Sequence, residues 1–87
     1  MATRLSVEDC IRRCEETLQY AREQCVEGSR QEHYNDTEYT KAQQMLEESL
    51  QEIAQLEISA NEQQREQLYR TRLRLQRLQN EMILNDH

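Results

Sequence analysis

Hydrophobic positions recur every three or four residues in three separate stretches of the chain, and the polar runs between them divide it into three helical segments. In the first, Val7, Cys10, Ile11, Cys14, Leu18, Ala21 and Cys25 form one narrow stripe at about 3.6 residues per turn. Ser6 followed by Asp9 resembles a capping box ahead of that stripe. Gly28 supplies a stop, because glycine takes the left-handed conformation that ends many helices. Residues 29–36 carry no stripe and form a connector, with Asn35 and Glu38 as the start signal for the second helix. Tyr39, Ala42, Leu46, Leu50, Ile53, Leu56 and Ala60 then make its buried side, with Met45 at the margin and Ile58 off the stripe.

The break after the second stripe is the decisive one. Residues 61–67, NEQQREQ, are seven polar residues where a continuous buried helix would need one or two apolar ones. Ser59 with Glu62, or Asn61 with Gln64, can cap a new helix, which favours a turn there although no Gly or Pro enforces it. The expected fold is therefore all-α: a small antiparallel three-helix bundle in a single domain, residues 1–87, with helices over about 7–27, 36–59 and 62–84. The competing fold is a long two-helix hairpin that dimerises, its second helix running roughly 70 Å at about 1.5 Å per residue.

The last segment, residues 62–84, is the only one with two hydrophobic strips. Leu68, Leu75, Leu78 and Met82 fall on one side, and Tyr69, Leu73 and Ile83 on a neighbouring side, where Gln76 and Asn80 occupy the spacing that a purely apolar seam would fill. One helix can thus touch two partners. A helix in a three-helix bundle already has two neighbours, so a wholly intramolecular account of both strips stands beside an intermolecular one.

Composition sharpens this picture. The chain has 87 residues, one Gly, no Pro, no Trp and no Phe. Leaving out Met1 it has 18 large aliphatic residues, a thin core for a domain of this size. Burying one such side chain is worth roughly 1.5–3 kcal/mol, against about 1–2 kcal/mol per residue of backbone ordering, so association is expected to add stability. The net charge is −6, but residues 1–60 hold 6 basic and 13 acidic groups while residues 61–87 hold 5 and 4. The last helix is suited to acidic neighbours. No stretch approaches the roughly 20 apolar residues of a membrane span, and the first residues lack the apolar core of a signal peptide, so a soluble cytoplasmic protein is expected.

The stretches MATRLSVEDC at the start, QEHYND at 31–36 and EQQREQLYRTRLRLQRLQNEMIL near the end resemble the YtzC-like family of small proteins of Bacillus and its relatives. The resemblance implies a cytosolic bacterial protein. These segments are patterns of helix-forming residues, so no active residue is carried over.

Few constellations carry chemistry. Cys10, Cys14 and Cys25, with His33 or His87 as a fourth ligand, have the donor types for zinc, but gaps of three and ten residues along an apolar stripe are not those of a zinc ribbon or knuckle. Core packing is their expected role. His33 stands among Glu32, Tyr34, Asn35 and Asp36 in the connector, where nothing fixes a catalytic geometry. Arg70, Arg74 and Arg77 share a face, which reads as solvated or acid-pairing; the acidic net charge argues against nucleic acid. Tyr39 and Tyr69 are expected to be half-buried with their hydroxyls reaching water.

The expected function is a non-enzymatic helical interaction module, a homo-oligomer or a partner of another helical protein. Its contact residues are Tyr69, Leu73, Gln76, Asn80 and Ile83, and no cofactor, membrane or small-molecule substrate is called for. The alternative is a thiol-based metal or redox sensor using Cys10, Cys14 and Cys25.

Overall fold

One core gathers the stripes of all three segments. The computed structural model describes residues 4–30 and 36–85, with side chains at 5–26 and 38–84. They form α1 (Arg4–Arg30), α2 (Asp36–Ser59) and α3 (Glu62–Asn85), with no strand among the described residues. Each helix packs on the other two in a bundle of 47 × 18 × 14 Å. Cross-helix bonds set the directions. Arg13 on α1 pairs with Glu52 on α2, and Tyr20 donates to Glu38, so α1 and α2 are antiparallel. Glu57 pairs with Arg72 and Glu47 accepts from Gln79, so α2 and α3 are antiparallel as well.

The turn at 60–61 decides between the two folds considered above, in favour of the three-helix bundle. Asn61 Oδ1 accepts from the Gln64 amide at 2.8 Å, and the Gln64 side chain accepts from the Asn61 amide at 3.0 Å. This reciprocal box satisfies two backbone donors, and the Arg65 amide closes the first turn on the Asn61 carbonyl at 2.9 Å. Arg65 Nε also donates to the Glu57 carbonyl at 3.1 Å, capping the last turn of α2. Ala60 is buried beneath the turn. Polar side chains hold the corner without glycine.

Two boundary signals fall inside α1. The helix starts at Arg4, so Ser6 lies within its first turn and does not precede it, and it runs through Gly28 to Arg30. Gly28 has no positive φ. One interior glycine costs only about 1 kcal/mol, which a packed helix tolerates. The Asn35 start signal, His33, Tyr34 and His87 lie outside the described residues.

The core comprises Val7, Cys10, Cys14, Leu18, Ala21 and Cys25 from α1 and Tyr39, Ala42, Leu46 and Ile53 from α2. Leu68, Leu75, Leu78 and Met82 join them from α3. Ile11, Leu50 and Leu56 pack on its edge, and Ile58 is 80% exposed, off the stripe. Tyr39 differs from expectation. It is buried, and its hydroxyl donates to the Met82 carbonyl at 2.6 Å, away from water. That carbonyl is among the last four of α3, for which no described residue of the helix supplies an amide donor.

Candidate interaction surface

With Leu68, Leu75, Leu78 and Met82 turned inward, α3 can bury no more of its circumference against α1 and α2. The second strip consequently faces out: Tyr69, Leu73 and Ile83 are 46%, 45% and 57% exposed, and Gln76 and Asn80 are exposed between them. At about 100° per residue these five lie within a narrow arc, spaced four, three, four and three residues apart, the spacing of a coiled-coil seam. The intramolecular account of both strips does not hold: the bundle uses one.

The surface is partly pre-ordered. Arg72 stacks its guanidinium 5.1 Å from the centre of the Tyr69 ring while Nη1 bonds Glu57 of α2 at 3.1 Å. The aromatic side chain is thereby steadied at the α2–α3 boundary. Beside the strip run Arg65, Arg72 and Gln79 on one flank and Arg70, Arg77 and Leu84 on the other. Arg70 bonds Glu66 at 2.6 Å across one helical turn. The face of Arg70, Arg74 and Arg77 is exposed, as a solvated face should be.

Sequence periodicity missed three features. Thr17 and Thr71 are buried; Thr71 satisfies its hydroxyl on the Gln67 carbonyl at 3.1 Å and completes the inward strip between Leu68 and Leu75. Its three- and four-residue spacing to those leucines was the available signal. Arg72 as a cross-helix tether left no signal in a one-dimensional pattern. An open groove of about 1120 Å³ lined by Ile11, Leu18 and Thr71 together with Arg70, Arg74 and α1 glutamates is built from two helices distant in sequence, and a one-dimensional pattern could not show it.

The cysteines sit inside. Cys10 and Cys14 are each 1% exposed with their sulfurs 4.0 Å apart, and Cys25 is buried about three turns further along α1. All three are free thiols. The Cys10 thiol is raised by its hydrogen bond to Cys14 and by burial, and that same bond lowers Cys14. Among the described residues no group of three His, Cys, Asp or Glu side chains is placed to hold a metal ion, and no helix is long and apolar enough to cross a membrane.

Comparison with known proteins adds kinship. A family model described as "Protein of unknown function (DUF2524)" matches residues 1–84. The chain is 54% identical over 84 residues to the uncharacterised protein YtzC of Bacillus subtilis (strain 168), covering 97% of this chain and 93% of that protein. No solved structure matches.

Proposed function

The chain belongs to the DUF2524 family of proteins of unknown function, and from that premise we propose that it is a cytoplasmic, non-enzymatic interaction module that associates with a second copy through the outer strip of α3. The observation that carries this reading is the exposure of Tyr69, Leu73 and Ile83 on one seam-spaced strip, in a protein whose core is thin. Large apolar side chains left together in water favour association, and burying them on a partner supplies the stabilisation that the small core lacks. Gln76 and Asn80 within the strip would set register, since each must meet a polar group when covered.

Molar mass from light scattering after size-exclusion chromatography, under reducing conditions and over a wide concentration range, tests it. A dimer or higher oligomer that dissociates on Leu73→Asp, with helicity unchanged, is the expected result. A compact monomer at every concentration refutes self-association. The thiol-sensor reading has the close Cys10–Cys14 pair in its favour, but burial of all three thiols opposes it. Fast labelling of those thiols in the folded protein, or stoichiometric metal uptake, would reinstate it.

A further inference from the structure

The flanks of the α3 strip are inconsistent with α3 pairing on its own copy. A parallel pair sets Arg72 against Arg77 and Arg65 against Arg70, and an antiparallel pair centred on Gln76 sets Arg77 against itself. Among the described residues, in neither orientation does an arginine of those flanks meet an acid. Helix α2 is the opposite case: it carries six acidic residues and one basic, −5, where α3 carries three acidic and five basic, +2.

The outer side of α2 has a strip of its own. Thr40, Gln44, Glu47, Gln51, Ala54 and Ile58 are all exposed and follow the same alternation of four and three residues. It adjoins the strip of α3 on one face of the bundle. We propose that this face is an isologous dimer interface in which α3 lies antiparallel on α2 of a second copy, about a two-fold axis parallel to the helices. This arrangement rests on the self-association proposed above.

An axis of that direction keeps every residue at its own height along the bundle. Heights are fixed by bonds within the chain: Glu57 of α2 bonds both Arg65 and Arg72 and lies between them in height, and Glu47 is level with Gln79. Tyr69 then meets Ile58 of the second copy, Leu73 meets Ala54, Gln76 meets Gln51, and Asn80 meets Glu47. Apolar residues meet apolar ones at the end near the turn, and amides meet polar groups further along. Ile58, which the chain leaves 80% exposed, gains a cover. On the rim, Arg77 reaches the height of Glu48 of the second copy; both are exposed, and neither forms an ion pair among the described residues.

Charge exchange on the full chain tests the arrangement. Dimer dissociation constants are measured at low salt by sedimentation equilibrium for wild type, Arg77→Glu, Glu48→Arg and the double variant. Each single change is expected to weaken the dimer about tenfold, because two contacts per dimer turn repulsive, and the double variant to recover to near wild type. Tighter or unchanged association of Arg77→Glu overturns the arrangement and points to α3 on α3. Cross-linking gives an independent readout: Gln76→Cys mixed with Gln51→Cys should link under mild oxidation, whereas efficient linking of Gln76→Cys to itself overturns the proposal. A wild type that stays monomeric refutes the self-association as well; a dimer indifferent to these changes refutes only the arrangement.

Discussion

Replacing Tyr39 by Phe removes one oxygen atom from the junction of α2 with the end of α3. The ring is 4% exposed, so its packing is retained, and the loss is the 2.6 Å hydrogen bond to the Met82 carbonyl. A hydrogen bond of this kind contributes about 0.5–1.5 kcal/mol net, and leaving a buried acceptor unpaired costs about 1–3 kcal/mol. Ile83 and Leu84 beside that carbonyl are exposed, so water reaches the end of α3 and relieves part of the penalty. The expected destabilisation is about 1–1.5 kcal/mol, or roughly 4–10 °C in Tm for a domain of this size. Urea unfolding followed by circular dichroism measures it, with Tyr69→Phe as the exposed control and an unchanged m-value as the sign that both states keep their compactness. If Tyr39→Phe matches wild type within a few tenths of a kcal/mol, the hydroxyl does not cap α3 and the reasoning fails.

Three further changes probe the rest of the bundle. Asn61→Ala removes the acceptor for the Gln64 amide and should cost about 1 kcal/mol in urea unfolding; no loss would mean that the corner is held by packing alone. Cys14→Asp places a carboxylate in the core and should cost roughly 3 kcal/mol or more, so a variant as stable as wild type would contradict the burial of that stripe. Tyr20 donates to the Glu38 carboxylate, which favours the neutral phenol and raises its pKa above the ordinary value of about 10. A raised folded-state pKa adds stability that is fully present below the unfolded value and is lost as pH rises through the folded one. An NMR titration of the Tyr20 ring should show that upward shift, and Glu38→Gln should lower it; an unmoved midpoint would show that the bond is absent in solution.

The helical stripes were legible because an α-helix repeats locally: one residue every 100° is enough to tell that Val7, Cys10, Cys14 and Leu18 share a side. The corner at Asn61 was legible for a related reason, since a capping box is closed by side chains three residues apart. End signals were weaker. Gly28 permits a left-handed turn but does not require one, and α1 continues past it. Tyr39 was placed too near water because amphipathic position describes the ring and says nothing about an acceptor 43 residues away. The five strip residues of α3 were visible as a strip, and the fuller strip of Leu68, Leu75, Leu78 and Met82 was the one expected to turn inward, as it does; whether the bundle also covers the other depends on how many neighbours the helix has.

Periodicity and capping chemistry by themselves determined that this protein is all-helical, that it carries three apolar stretches, which side of each stretch is apolar, and that the last has two apolar sides; whether the chain turns at 60–61 or runs on as one long helix was left to the structure. These are properties of contacts within a few residues, where chain geometry leaves little freedom. Only the tertiary structure decided that α3 spends one strip on the core and exposes the other, that Arg72 ties Tyr69 to Glu57, and that the outer strips of α2 and α3 lie on one face. Those outcomes depend on the positions of whole helices, which are set by the sum of many weak packing terms across distant parts of the chain.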